Sequence, residues 1–173
     1  MEDLRHPRPH ARIGFMKKVQ TRQEIQVVGF YIGSDEYALN IAKVREIQAM
    51  TDIRKMPRAP SFVEGVINLR GHIVPIIDLR KRFDLPALAD QHQSKILIVD
   101  FNRNLVGMVV DNVSEVIRLF SDQIERAPDV FSFNVGSQYI QGVAKLEEHL
   151  IVLLDIEKLL SFDEQNQLAG LKS

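Results

Sequence analysis

Apolar positions along this chain come in short runs between turn residues, not at helical spacing. VVGFYI (27–32) and YALNI (37–41) flank the turn chemistry of Gly33, Ser34, Asp35 and Glu36, which predicts a β-hairpin. TDIRKMPRAPSF (51–62) reads as a proline-bearing loop, and GVINL (65–69) and HIVPII (72–77) read as strands facing each other across Arg70-Gly71. DLRKRF (78–83) predicts a short helix that Asp78 starts, since its carboxylate can accept from the first free N–H groups. After a linker, LPALADQHQS (85–94), a second hairpin is predicted from KILIVDF (95–101), Asn102-Arg103-Asn104 and LVGMVV (105–110). DIEKLLSFDEQNQLAG (155–170) predicts a C-terminal helix over about 155–168, capped by Asp155. Strands dominate, so the expected class is mostly β.

The pattern repeats. Sliding the chain by 69 positions sets Val27 on Ile96, Val28 on Leu97, Phe30 on Val99 and Ile32 on Phe101. The Gly33 turn then falls on the Asn102 turn, Leu39 on Met108, and KVREI (43–47) on NVSEV (112–116). After an eight-residue insertion, GVINLRGHIVPIIDLRK (65–81) lies on GVAKLEEHLIVLLDIEK (142–158). Turns, cap and flanking glycine align in order, which marks an internal duplication. The expected organisation is a flexible segment over 1–24 and a domain over 25–165. Its two lobes span about 25–90 and 91–160. Lobes of about 60 residues are marginal alone, and the runs IVPII and LIVLL are apolar at consecutive positions, as in strands covered on both faces. Two small five-stranded barrels packed face to face satisfy both facts. Pro75, where the second copy has Val152, requires an edge or a bulge. At the hairpin tip the position of Arg70 is taken by Glu147 in the second copy, so the lobes share a scaffold but not a surface charge.

The 173 residues are 45% hydrophobic and carry a formal net charge of −1, which gives no global field for nucleic acid or anionic membrane. The absence of cysteine removes disulfides, thiolate zinc sites and cysteine nucleophiles, and fits a reducing cytosol. No apolar run approaches the ~20 residues of a membrane span, and a signal peptide's apolar core is missing, so a cytoplasmic protein is expected. Paired Asp78 and Asp155 raise the idea of a carboxylate dyad, but the small-residue loop such a dyad needs is absent, and both read as helix caps. His6 and His10 read as a solvated tail. His72 and His149 stand at equivalent strand positions with no carboxylate or second histidine at ligand spacing, so no metal, cofactor or catalytic residue is expected. Arg54-Lys55-Arg58 and Arg80-Lys81-Arg82 lack the interleaved aromatics of a single-strand binder and read as solvated faces. Arg70 is either a solvated turn residue or a recognition arginine whose fork of donors suits carboxylates and carbonyls. Period two puts Val66, Asn68 and Arg70 on one face, with Ile67 and Leu69 inward. Val44 divides between core packing and a contact role.

PSFVEGVINLRGHIVPIIDLRKRF (60–83) closely resembles the signature of CheW-type chemotaxis coupling proteins: an N-L-R-G turn, an I-V-P strand and a D-L-R helix start. The resemblance extends through YALNIAKVREI, LVGMVVDNVSEV and IVLLDIEKLL and covers about residues 24–165. It implies two intertwined SH3-like five-stranded barrels with a C-terminal helix. The implied role is a non-enzymatic adaptor joining the cytoplasmic helical-hairpin tip of chemoreceptors to the regulatory domain of the histidine kinase CheA. The implied setting is rings beneath a receptor array at the inner face of the membrane, with self-association in rings as a further expectation. The resemblance places receptor contacts on Val44, Glu46, Gly65, Asn68, Arg70, Val113 and Val116, and kinase contacts on Ile124, Glu125 and Val130. The alternatives are a coupling protein of a non-chemotactic receptor–kinase pathway, such as pilus motility, and a small-barrel nucleic-acid binder.

Overall fold

The structure is a computed structural model that describes residues 23–126, 139–147 and 149–171. Among these, the strands run β1 (Glu24–Ile32), β2 (Asp35–Asn40), β3 (Val44–Ala49), β4 (Val63–Leu69), β5 (His72–Asp78), β6 (Lys95–Phe101), β7 (Asn104–Val110), β8 (Asn112–Phe120), β9 (Ile124–Glu125), β10 (Ile140–Leu146) and β11 (His149–Leu154). Helix α1 is Leu79–Arg82 and helix α2 is Phe162–Gly170. Val130, His6 and His10 lie outside the described residues.

Two sheets form, with strand orders β8-β1-β2-β11-β10-β9 and β3-β6-β7-β5-β4. Neither is built from one repeat. The β1–β2 hairpin of the first repeat joins the strands of the second, and β6–β7 joins the first, each through a parallel junction: β2 with β11 and β5 with β7. The repeat bounds near residue 90 are therefore not the bounds of the packed units. Exchanging hairpins lets each hairpin bury its second face in the other repeat. Each sheet also curls shut. Arg54, beyond β3, exchanges two backbone hydrogen bonds with Val66 of β4 (2.9 and 2.8 Å), and β8 turns through Ser121–Gln123 into β9, which pairs with β10.

The consecutive apolar runs are explained by three clusters. Ile96, Ile98, Val74 and Ile76 fill the interior of the β3–β7 barrel, while Val27, Ile151 and Leu153 fill the other. Their neighbours Leu97, Val99, Ile77, Val152 and Leu154 point the other way, into a layer shared by both barrels with Phe30, Tyr37 and Met108. Alternation thus has two apolar destinations.

Pro75 pairs with Val66. Both backbone polar groups of Val66 are engaged by Arg54, so this is a non-hydrogen-bonded pair of the β4–β5 ladder. The missing N–H would face β7, whose pairing with β5 begins only at Ile76. Proline therefore removes no ladder bond.

Asp78 caps α1 by accepting from the Arg80 N–H at 2.9 Å. Asp155, however, caps only a single 3₁₀ turn, Ile156–Lys158, and the C-terminal helix starts afresh at Phe162. The expected continuous helix from 155 is corrected. Ser161 accepts from the Glu164 N–H at 3.1 Å while Glu164 accepts from the Ser161 N–H at 2.9 Å, a reciprocal capping box that sets the new start. Replacing Ser161 with Ala is expected to cost about 1 kcal/mol, read as a lower urea midpoint at unchanged slope.

Candidate partner-binding site: the hairpin tip and the barrel junction

Arg70 and Gly71 form a two-residue turn with φ of 51° and 88°, the double positive φ of a primed hairpin turn. A left-handed arginine is costly unless its surroundings hold it. Here Asn68 Oδ1 accepts from the Gly71 N–H at 2.8 Å, tying the turn from within. Arg70 is 71% exposed along its side chain and donates through Nη2 to Glu46 Oε2 at 2.5 Å. Gln48 donates to Glu46 Oε1 at 2.8 Å, fixing the carboxylate from β3. Asn68 and Arg70 do project at one tip, and Glu46 joins them from 24 residues away.

The Arg70 hydrogen bonds, followed by that of Gln48, hold the Glu46 carboxyl below its ordinary value. A depressed folded value means the contribution to stability is full above the unfolded value and is lost as pH falls through the folded one. The tip cluster is therefore expected to stay closed at neutral pH and to open only in acid. In a carboxyl-carbon NMR titration, Arg70→Ala should move the Glu46 midpoint back up.

The valines belong to the junction between barrels. Val44 opens β3, pairs with Val99 and packs partly on the shared layer; Val113, the second residue of β8, pairs with Phe30 and does the same. Val44 is half-buried, so core packing and an accessible edge both apply to it. Val116 is 54% exposed. Its repeat equivalent, Ile47, is exposed too. Gly65 stands elsewhere: it is buried, and a Cβ there would meet Arg54 O at 2.4 Å. Its lack of a side chain lets Arg54 close the barrel. Val66, expected on the outer face with Asn68, is likewise buried, alongside the Arg54 bridge.

On the opposite barrel, Ile124 is half-buried against the interior cluster, while exposed Glu125 lies 3.6 Å from Lys145 on β10. The Arg80-Lys81-Arg82 run, expected as a solvated face, is a set of ion pairs. Lys81 meets Glu64 at 2.6 Å, Arg80 holds Asp111, and Arg82 holds Glu164 while lying 5.5 Å over the Phe62 ring. These acids are far away in sequence, so spacing could not reveal them. The same applies to His149, whose Nε2 is 3.6 Å from Glu36 Oε1, a carboxylate 113 positions distant. Among the described residues no group of three or more His, Cys, Asp or Glu could hold a metal ion, and no helix is long and apolar enough to cross a membrane. Gln48 was missed, although period two sets it on the same face of β3 as Glu46.

Known proteins share this sequence pattern and fold. A family model described as the CheW-like domain matches residues 26–164. The chemotaxis protein CheW of Klebsiella aerogenes is 40% identical over 135 residues, covering 78% of this chain and 81% of that protein. The CheW of Helicobacter pylori is 32% identical over 163 residues, covering 94% and 97%. The crystal structure of the scaffolding protein TtCheW from Thermoanaerobacter tengcongensis superposes with a TM-score of 0.74 at 33% identity, covering 82% of this chain and 96% of that one. With more than half its length matched and relatives above 30% identity along nearly their whole extent, the chain belongs to the CheW-like family.

Proposed function

We propose that this protein is a non-enzymatic chemotaxis adaptor that couples the cytoplasmic tip of methyl-accepting chemoreceptors to the regulatory domain of the histidine kinase CheA. On this reading it works in the cytoplasm, at receptor arrays on the inner face of the membrane. The observation that carries the reading is the Arg70 tip: an exposed guanidinium held in a left-handed turn by Asn68 and oriented by a Glu46 that Gln48 fixes. A pre-ordered cation presented this way recognises carboxylates or carbonyls on a partner and fixes its register. Val44, Val113 and Val116 supply apolar contact for the ridges of a helical hairpin, with polar residues as the rim. Ile124, Glu125 and Val130 are assigned to the kinase-facing side. Contacts of this size are individually modest, and an array multiplies them through effective concentration. Pairing of Arg80, Lys81 and Arg82 with acids leaves that run without a free cationic groove, which disfavours the nucleic-acid reading.

The experiment is calorimetric titration of the full chain with a receptor-tip fragment and, separately, with the kinase regulatory domain. Both should bind, and saturating one should not displace the other. Displacement would mean one shared surface and would refute the assignment of two faces.

A further inference from the structure

Among the described residues the chain passes between the two barrels at two places. Strands β1 and β2 belong to one barrel, β3 to β7 to the other, and β8 to β11 return to the first. The first crossing is the 3₁₀ turn Ile41–Lys43 and the second is the single residue Asp111, between β7 and β8. Each crossing delivers a candidate contact valine, Val44 or Val113, within two residues.

The two crossings are held very differently. Asp111 donates its N–H to Tyr31 O at 3.0 Å. Its Oδ1 accepts from Arg80 Nε at 2.8 Å, and its Oδ2 accepts from Arg80 Nη2 at 2.7 Å and from the Gly33 N–H at 2.7 Å. The remaining Arg80 fork nitrogen, Nη1, donates to Pro86 O at 2.7 Å. One carboxylate thus ties α1 in one barrel to the β1–β2 turn in the other, and both side chains are nearly buried, at 14% and 15% exposure. The repeat equivalent of Asp111 is Ala42, which has no carboxylate, and the first crossing is held on its surface by Lys43 and Glu157 at 2.9 Å. A bidentate, largely desolvated arginine–carboxylate pair is directional and stiff, whereas an exposed lysine pair contributes little and is screened by salt.

We infer that Arg80 is a positioning residue for partner binding: by locking Asp111 it fixes the second crossing, and with it the placement of Val113 relative to Val44. The junction is then rigid on the β7–β8 side, and what adjustment a partner requires occurs on the β2–β3 side. Arg80 need not touch the partner. The partner half of this inference rests on the function proposed above; the rigidity half does not.

Because the chain has no native cysteine, spin labels can be placed one per barrel at exposed Ala49 and Gln141, and the interlabel distance distribution measured in the full-length free protein. The native chain should give one narrow distribution, and Arg80→Gln should broaden it. Lys81→Gln, which breaks an ion pair within one barrel, should not. In a second arm, affinity for a receptor-tip fragment should fall about tenfold with Arg80→Gln, the usual size of coupling between distinct positions, and stay at the native level with Lys81→Gln. Should Arg80→Gln fail to fold, Asp111→Asn, which keeps shape and removes charge, is expected to broaden the distribution instead. A lower melting temperature with an unbroadened distribution would overturn the inference, since that is what a purely structural pair predicts. If the native chain ignores the receptor fragment, the proposed function fails, while the distance measurement still decides the clamp.

Discussion

Arg70→Glu is expected to leave the fold intact and to weaken capture of a receptor-tip fragment by about a hundredfold, because it turns an attractive register-fixing charge into a repulsive one. The fold should survive because the protein already contains the experiment: Glu147 occupies the equivalent tip with φ of 50°. The side chain is mostly exposed, so nothing in the core depends on it. Two acids would then face each other at the tip, Glu46 and the new glutamate, and the order seen around Glu46 would be lost. Binding to the kinase regulatory domain, assigned to the other barrel around Ile124 and Glu125, should change little. Calorimetric titration with both partners, beside a thermal melt, checks all three statements. Native affinity for the receptor fragment in a folded variant would remove Arg70 from the site.

Phe30→Ala carries the largest expected effect on stability. Phe30 is fully buried in the layer between barrels and lies 6.0 Å from the Tyr37 ring, nearly parallel to it. Truncating such a residue costs about 3–5 kcal/mol from lost transfer and the cavity left behind. For a domain of this size that is a drop in Tm on the order of 10 °C. The form of the transition is as informative as its midpoint. Since each barrel contains a hairpin from the other repeat, neither can fold first and wait, and calorimetry should show a single cooperative transition in both native and variant chains. Two separated transitions would mean the barrels are independent.

Much of this architecture was legible in the sequence, for identifiable reasons. The hairpins followed from turn chemistry at Gly33 and Asn102, and the duplication from aligned turns and caps. The doubly buried strands followed from the unbroken apolar runs IVPII and LIVLL. The hairpin exchange between repeats was not legible from the residues themselves, because alternation says that a strand has two covered faces and not which repeat covers them. Ser161 was overlooked as a helix start because Asp155 offered an earlier and equally good cap; the capping box Ser161-x-x-Glu164 was the signal that could have moved the boundary. At the tip, Asn68 and Arg70 were readable from period two. Gln48 was open to the same reading from β3, two positions from Glu46, whereas Arg54 and the partners of Arg80 and Arg82 depend on contacts across the fold. Gly65, matched to a contact position by resemblance, also lets a neighbouring backbone come close, which no spacing rule announces.

The claim at the centre is coupling, and kinase output tests it most directly. Phosphate transfer by the candidate kinase should be measured with receptor fragments arrayed on vesicles, with and without this chain. The account predicts that receptor control of the kinase appears only when the chain is present, and that the chain alone transfers no phosphate. Receptor control of equal size in its absence would contradict the account.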